Sequence, residues 1–547
     1  MIDSKKYVKG SFLASVFLSF AYLYGDCCAR EADFVFNIVI AAEVLFFALF
    51  YFLAINLLYL ALCKLQLPGL FKESFSKAFR KKAFLYSFLL FLAVWLFHLI
   101  LKYPAGNSVD GMGEIRIEEG IRGISKMHPV FHALILNLFL KLGILLGNIN
   151  TGIFLLVLFE MIVRALIFAY AIKLLADMRA SDTGILMAVL FFALCPYIAG
   201  YVGISSKDAW CTDFVVLLFV LLAYYISDEE KFFAEKRNVI LLVAAVTFAS
   251  LFRNNGAIIT MPAVAVIAVI EIKKRGFKKQ VFTLFLAFII PALVTLTMDL
   301  ALDTSPMLKG ETLSLPLQQT SRFVVYHSDL LTEEEKQIID NVLPYDEIPN
   351  LYNETLSDPV KSAVYADVTD DEISAFLSLW LRLFFRSPSC YLTAVVRQNI
   401  YMFYPKYHSF YSCYPIYPNS EYSDVFPNYF ESNESIQTLL PSYKEMLANM
   451  HGFLYLSPLG TAATYVILLL ALMLIAKKNR DKKIFIVFLP AIITVVEVLF
   501  AANISVNDRY LFPLIWSTPV WFGTFAARCR SIDSKLESDI ISNQEGD

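Results

Sequence analysis

The chain has 547 residues, of which 58% are hydrophobic and 15% aromatic. A soluble domain of this length could not bury so much apolar surface, so the composition excludes an ordinary soluble enzyme and predicts a membrane protein with many helical spans. The formal net charge of −3 gives no reason to expect a nucleic-acid partner, and we predict none.

Apolar segments of the length that a bilayer needs predict about twelve transmembrane helices. The N-terminus resembles a signal peptide but lacks a clear cleavage site, so we interpret it as a retained first span. The predicted spans are 9–24, 36–63, 83–102, 152–175, 183–203, 210–226, 238–252, 256–272, 281–301, 459–476, 484–503 and 510–528. A further apolar segment at 129–147 is ambiguous.

Clusters of lysine and arginine predict which loops face the cytoplasm. They lie at the N-terminus, before the third span, and at 235–237, 273–279 and 477–483. If all of them are cytoplasmic, residues 103 and 151 both fall on the outer side of the membrane. The ambiguous segment at 129–147 then does not cross, and it should lie along the membrane surface or dip in and return. Both termini are predicted to be cytoplasmic.

This orientation divides the chain into five parts. The first outer loop follows the third span, covers 103–151 and should carry surface helices. The parts are 1–82 with two spans and a cytoplasmic loop, 83–301 with the main transmembrane module, 302–458 as a mixed extracytoplasmic region, 459–528 with three spans, and 529–547 as a cytoplasmic tail. The 8 cysteines form no zinc-ligand spacing, and pairing of Cys390 with Cys413 is left open.

Several ionisable residues fall at the outer membrane face, each at the end of a span or in a loop there. They are Asp110, His128, Lys207, Asp208, Arg253 and Arg509. Ionisable groups near a bilayer usually meet a partner or a ligand, and positive charges are scarce on the outer side. A carboxylate beside two cations suits one kind of chemistry. The carboxylate removes a proton from a hydroxyl while the cations hold a departing phosphate.

Structural interpretations compete with this functional one. Lys207 could snorkel to lipid head groups and pair with Asp208 or Asp213. Arg253 could cap a tight turn, and His128 before a proline could simply begin a surface helix. The sequence alone leaves these alternatives open.

Together these features resemble the GT-C glycosyltransferases. The resemblance rests on Asp110 in the first outer loop, the helix start "HPVFH", and the short outer loops that carry Lys207 and Arg253. More closely, the chain resembles an uncharacterised bacterial family of multispanning membrane proteins of that type. The matching pieces are "HPVFHALI", "SSKDAW", "LFRNNG", "LSLPLQQTSRFVVYH", "LSDPVK" and "NDRYLFPLIW".

The resemblance implies a GT-C-like all-α fold and an enzyme in the plasma membrane of a bacterium. It would move a hexosyl or pentosyl group from a polyprenyl-phosphate donor to a hydroxyl of a glycan, lipid or protein acceptor at the outer face, with inversion, in cell-envelope modification. Asp110 would be the catalytic base, and Lys207 and Arg253 would bind the donor phosphate. Substrate contacts would come from His128, Asp208, Asn255, Gln318, Gln319, Arg322 and Arg509.

Metal use is left open by a departure from the family pattern. Many GT-C enzymes carry two adjacent acidic residues in the first outer loop, whereas Gly111 follows Asp110 here. Mg²⁺ or Mn²⁺ would need carboxylate ligands, for which Asp110 and Glu114 are the candidates. Otherwise Lys207 and Arg253 would replace the metal.

Two other classes of function compete with the enzyme. A transporter or flippase for lipid-linked sugars would need polar groups through the depth of the bilayer. Glu160, Arg164 and Glu497 lie within predicted spans and keep that alternative open. Glu160 and Arg164 are four residues apart, however, and a structural ion pair explains them better. A non-catalytic envelope-assembly protein is the third alternative.

Overall fold

A computed structural model describes residues 2–30, 37–63, 73–105, 124, 126, 129–276, 279–302, 304–406, 458–501 and 508–530. This part of the chain is helical, with one isolated β-bridge between Asn353 and Leu356 and no strand. The predicted all-α class is therefore confirmed.

The longer helices are labelled in chain order. They are α1 (Ile2–Ala29), α2 (Ile38–Cys63), α3 (Glu73–Lys81), α4 (Ala83–Leu101), α5 (Val130–Leu145), α6 (Ile149–Asp177), α7 (Asp182–Leu194), α8 (Lys207–Ser227), α9 (Glu229–Ala234), α10 (Lys236–Phe252), α11 (Gly256–Arg275), α12 (Lys279–Ala301), α13 (Ser314–His327), α14 (Glu333–Asp340), α15 (Asp370–Arg386), α16 (Pro388–Gln398), α17 (Ala462–Lys478), α18 (Ile484–Phe500) and α19 (518–530). Short helical turns lie at Pro196–Ala199, Lys309–Thr312, Ser328–Leu330, Tyr345–Glu347, Ile348–Leu351, Asp358–Ser362, Ile400–Met402, Pro458–Gly460, Asp508–Leu511 and Phe512–Trp516.

Within the described ranges, 8 helices are long and apolar enough to span a membrane. They are Tyr7–Ala29, Ile38–Cys63, Ala83–Ile100, Ile149–Asp177, Asp182–Ala199, Lys207–Ser227, Gly256–Lys274 and Val281–Ala301. The chain is therefore a polytopic membrane protein. Three of the other predicted spans correspond to α10, α17 and α18, which have 17 residues each. The last, 510–528, is interrupted by a turn at Ser517, which separates Phe512–Trp516 from α19. The total of twelve stays a prediction.

Helix α8 lies at the centre of the bundle. Its apolar residues are buried on every side, which is typical of a helix without a polar face. It packs against α6, α10 and α18. Because α8 begins at Lys207, this packing fixes the position of the loop that precedes Lys207.

Hydrogen bonds connect the two ends of α4 to the segments before and after α7. Just before α4, Arg80 donates to the Ala180 carbonyl oxygen at 2.7 Å and pairs with Asp182. Just after it, Lys102 donates from Nζ to the Val202 carbonyl oxygen at 2.8 Å. The Arg80 end therefore shares a bundle face with the loop after α6, and the Lys102 end shares the opposite face with the loop before α8.

Helix α5, the ambiguous apolar segment, forms a tight hairpin with the first half of α6. A Cβ on Gly143 would lie 2.7 Å from the Gly152 nitrogen, so only glycine permits this approach. At the start of α5, His132 Nε2 lies 3.2 Å from Ser205 Oγ. Helix α5 therefore begins at the same face of the bundle as α8. It runs antiparallel to α6 and extends away from Asp177, the last residue of α6. This arrangement supports the prediction that 129–147 does not cross.

A cysteine introduced at Ile149 tests that topology. We expect it to react with an impermeant thiol reagent on intact cells, because the hairpin should lie wholly at the outer face. A cysteine at Lys482, in the basic loop before α18, should react only after permeabilisation, and the unmodified chain gives the background. Labelling of the position-149 cysteine that also requires permeabilisation would show that α5 crosses the membrane.

The described part of the region predicted to be extracytoplasmic, 304–406, has its own apolar core of α13, α15 and α16. Two of its helices begin with capping boxes, in which Thr332 pairs with Glu335 and Thr369 with Glu372. At its end, the turn Ile400–Met402 packs against α17. The region is therefore anchored to the bundle at this point.

Candidate functional site at the outer face

The loop between α10 and α11 is a very tight turn. Arg253 ends α10 in an extended conformation, and α11 begins three residues later at Gly256. A Cβ at Gly256 would lie 2.0 Å from the Ala249 carbonyl oxygen, so only glycine fits there. The turn holds the Arg253 side chain at the start of α8.

Five polar residues from four parts of the chain meet at this turn, and we call them the outer charge cluster, because this end of the bundle is the one predicted to face outward. They are Asp208, Arg253, Asn255, Glu497 and Arg509. Arg253 Nε lies 3.3 Å from Asp208 Oδ1, and its Nη2 lies 3.8 Å from Glu497 Oε1. Asn255 donates to the same Glu497 oxygen at 2.5 Å. Arg509 Nε lies 3.6 Å from Asp208 Oδ2.

Aromatic side chains complete the outer charge cluster. The guanidinium carbons of Arg253 and Arg509 lie 5.1 and 5.2 Å from the centre of the Tyr510 ring, at cation–π distance. Tyr401 is fully buried, and its hydroxyl has no hydrogen-bond partner among the described residues; the same holds for Glu497 Oε2. Buried polar atoms usually have partners, so these two atoms mark where water or a ligand group would bind.

Four of the predicted site residues therefore lie together: Asp208, Arg253, Asn255 and Arg509. Lys207 precedes Asp208 and is half-buried at the first position of α8. The other predicted residues of the first outer loop, Asp110, Glu114 and His128, lie outside the described residues.

The described ends of the first outer loop nevertheless reach the same face. Asn254, next to Arg253, places its Nδ2 3.5 Å from the Lys126 carbonyl oxygen. Lys126 also pairs with Asp299 at 2.8 Å, at the end of α12. Together with the contact of His132 to Ser205, these bonds bring the described part of the first outer loop, from Lys126 onwards, alongside the outer charge cluster.

Glu497, Tyr510 and Tyr401 belong to this arrangement but were not predicted as site residues. Glu497 had a signal, since it is an acidic residue in an apolar span, but its partner could not be inferred from sequence spacing. The two tyrosines gave no signal within so aromatic a chain.

Gln318, Gln319 and Arg322, predicted substrate contacts, instead have partners inside the extracytoplasmic region. Gln319 accepts a hydrogen bond from Trp380 at 2.9 Å and donates to the Tyr391 carbonyl oxygen at 3.2 Å. Gln318 donates to the Asn353 carbonyl oxygen at 2.6 Å. These contacts favour a packing role for the two glutamines over contact with a substrate.

Arg322 takes part in a network around Glu354. It donates to that carboxylate at 2.7 Å, Tyr326 donates to it at 2.9 Å, and Arg397 also pairs with it. Burial alone would raise the pKa of Glu354, but the hydrogen bonds from Arg322, Arg397 and Tyr326 hold it below the ordinary value. The network joins α13, α16 and the segment between them.

The lowered pKa of Glu354 predicts acid sensitivity of the extracytoplasmic region. A depressed carboxyl pKa contributes stability that is fully present above the ordinary value of 4.5 and is lost as the pH falls through the folded-state value. We expect Glu354→Gln to lower the melting temperature at neutral pH and to flatten its dependence on pH below about 4.5. Glu333→Gln, at an exposed pair with Lys336, is the control. Equal acid profiles for wild type and Glu354→Gln would contradict the prediction.

A second buried group of charges lies within the bundle. Arg164 donates to Glu160 at 2.8 Å and to Asp213 at 3.0 Å, and its guanidinium carbon lies 4.6 Å from the centre of the Trp516 ring. The predicted ion pair between Glu160 and Arg164 is therefore confirmed. Asp213, considered above as a partner for Lys207, pairs with Arg164 instead.

The described residues contain no group of three His, Cys, Asp or Glu side chains that could hold a metal ion. The two candidate ligands from the sequence, Asp110 and Glu114, lie outside that part of the chain, so metal use stays open.

Comparison with curated proteins and with solved structures finds no match. A family model does match residues 123–538, which is well over half of the chain and includes every residue of the outer charge cluster. The match leaves out α1 to α4. The chain therefore belongs to DUF6020, a family of unknown function.

Proposed function

We propose that the protein is a membrane glycosyltransferase that moves a sugar from a polyprenyl-phosphate donor to an acceptor hydroxyl at the outer face of the plasma membrane. The observation that supports it is the outer charge cluster. Cations, carboxylates and buried polar atoms without partners meet there beside the first outer loop. Such a group is costly at a membrane surface and is usually retained for a ligand.

The charges of the cluster refine the proposed roles. Arg253 and Arg509 are paired with the carboxylates of Asp208 and Glu497, and Lys207 is a further cation beside this cluster. It also stands at the N-terminus of the 21-residue helix α8, where backbone N–H groups and the helix dipole favour an anion. We therefore assign the donor phosphate to Lys207 and this helix end. Arg253 orients the site through its two carboxylate partners.

The proposed chemistry is a single displacement. Asp110 takes the proton from the acceptor hydroxyl, and the acceptor oxygen forms a bond to the anomeric carbon. The bond from that carbon to the phosphate oxygen breaks, and the leaving lipid phosphate keeps the electron pair beside Lys207. One displacement inverts the anomeric centre, whereas retention would need a second carboxylate as nucleophile.

A transporter of lipid-linked sugars is the second candidate, because Glu160, Arg164 and Asp213 place charges within the bundle. These charges are closely paired and buried, however, with side chains that are at most 3% exposed. They therefore resemble a structural network more than a translocation path. Formation of a glycosylated product would distinguish the enzyme from a transporter.

Replacing Lys207 with glutamine tests the assignment of the phosphate. In proteoliposomes supplied with a polyprenyl-phosphate sugar, we expect donor affinity to fall about 10- to 150-fold, because a charge-assisted contact contributes about 1.5–3 kcal/mol. Lys482→Gln, in a loop predicted to be cytoplasmic, should bind and turn over normally. Unchanged donor affinity in Lys207→Gln would show that the donor phosphate does not bind at this helix end. Absence of sugar transfer by the wild type, with a range of sugars and acceptors, would count against a transferase.

A further inference from the structure

We propose that a groove between α7 and α19 binds an anionic glycerophospholipid of the cytoplasmic leaflet, with the lipid phosphate at Arg530. This inference does not depend on the proposed function. The groove has a volume of about 290 Å³, and Leu175 of α6 also lies in its lining. For comparison, an apolar cavity of about 150 Å³ is large enough to bind benzene.

The groove is formed by one face of each helix along its whole length. Its lining repeats at helical spacing, with Gly184, Ala188 and Phe191 on α7 and with Phe522 and Ala526 on α19. Each helix has 13 residues and is therefore about 20 Å long, somewhat more than one leaflet of a hydrocarbon core about 30 Å thick. These dimensions and this composition suit an extended acyl chain.

Small residues keep the groove open. A Cβ at Gly523 would lie 2.7 Å from Leu175 Cδ2, so glycine lets α19 pack closely on α6 and form the floor of the groove. The positions of Gly184 and Ala188 place no long side chain inside it.

The two ends of the groove differ in charge. One end is lined by Ala180, Ser181 and Arg530, and the Nε of Arg530 is buried without a hydrogen-bond partner in the described ranges. The other end is lined by Cys195, Pro196 and Leu459, none of which is charged. A lipid phosphate would therefore bind at the Arg530 end, because it would satisfy the buried donor and balance the charge.

Neighbouring contacts identify the Arg530 end as cytoplasmic. Arg528, two residues earlier, pairs with Asp481 at 2.6 Å, within the basic loop 477–483. At the same end, Arg80 from the basic segment before α4 donates to the Ala180 carbonyl oxygen. Both basic segments are predicted to be cytoplasmic. The uncharged end faces outward, which argues against the polyprenyl-phosphate donor as the occupant, since its phosphate would have to lie there.

Photolabelling with a phosphatidylglycerol that carries a diazirine on one acyl chain tests the proposal. The full chain is reconstituted in phosphatidylcholine vesicles, irradiated and mapped by peptide mass spectrometry. We expect labelled peptides from α7 and α19, and about tenfold less labelling by a phosphatidylcholine analogue, because the choline cation of that lipid neutralises its own phosphate and weakens the charge-assisted contact with Arg530.

Matched variants separate the two parts of the site. Arg530→Gln should lower labelling by phosphatidylglycerol about tenfold and labelling by phosphatidylcholine much less, whereas Arg530→Lys should keep most of the preference. Arg237→Gln, at an exposed cytoplasmic arginine outside the groove, is the control. Ala188→Leu should fill the groove and reduce labelling by both lipids.

Three results would overturn the proposal. They are labelling outside α7 and α19 only, equal labelling by the two lipids in the wild type, and an unchanged preference in Arg530→Gln. Displacement of the label by an equimolar polyprenyl phosphate, with no displacement by unlabelled phosphatidylglycerol, would instead assign the groove to the donor lipid. These measurements need no transferase activity, so their failure is distinct from failure of the proposed function.

Discussion

Asp110→Asn is expected to lower turnover in sugar transfer by about 10²–10⁴-fold while donor affinity barely changes. The substitution keeps the shape of the side chain and removes its basicity. If Asp110 deprotonates the acceptor, the chemical step slows, but the donor phosphate still meets Lys207 and the start of α8. The measurement is transfer from a polyprenyl-phosphate sugar in proteoliposomes, with donor affinity determined separately.

Glu114→Gln, four residues further along the same loop, is the matched control for Asp110→Asn. It should turn over normally if no metal is bound, and its rate should fall together with metal dependence if the two carboxylates share Mg²⁺ or Mn²⁺. Normal turnover in Asp110→Asn would show that the catalytic base lies elsewhere. A parallel loss of folding would be recognised by its melting temperature.

Arg164→Met is expected to destabilise the folded protein by about 3–5 kcal/mol, because Glu160 and Asp213 would then be left as buried charges without their cation. All three side chains are at most 3% exposed, so water cannot replace the arginine. The measurement is thermal unfolding in detergent, and a large fall in melting temperature should result.

Removing the carboxylate charges together with the arginine is the control. The triple variant Glu160→Gln, Arg164→Met and Asp213→Asn should recover much of the lost stability, since no uncompensated charge remains. A single Arg164→Met variant as stable as the wild type would show that the bundle tolerates the two charges. In that case, a role of these residues in moving a charged substrate would gain weight.

The convergence of these charges at one face of the bundle could be predicted because it depends on topology. The distribution of lysine and arginine placed Asp208, Arg253 and Arg509 on one side of the membrane, and the structure brings them into contact. The pairing of Arg253 with Glu497 could not be predicted, because it depends on how α11 packs against α18. Residues that share a membrane face can be found from sequence, whereas their partners are set by helix packing.

The extracytoplasmic region shows the same limit of prediction from sequence, but here residues predicted to bind a substrate have structural partners instead. Gln318, Gln319 and Arg322 lie in one helix, α13, and the resemblance implied that they contact the substrate. The structure pairs Gln319 with Trp380 and Arg322 with Glu354, which lie 61 and 32 residues further along the chain. A polar residue in a soluble region can be buried and satisfied by tertiary contacts that no local pattern reveals.

The contact between α1 and the end of the extracytoplasmic region bears on how the protein is made. Tyr404 donates a hydrogen bond to Asp26 at 2.6 Å, although it is synthesised 378 positions later. A Cβ at Gly25 would lie 2.7 Å from Tyr404 Cβ, so the glycine in α1 makes room for this tyrosine. At about 5–20 residues per second, the ribosome supplies that partner roughly 20–75 s after α1 emerges. During this interval α1 and α2 must persist in the bilayer as an independent pair. Exposed leucines and phenylalanines on both helices, such as Phe17, Leu45 and Phe46, can contact lipid and so keep the pair stable in the bilayer until the last third of the chain packs against it.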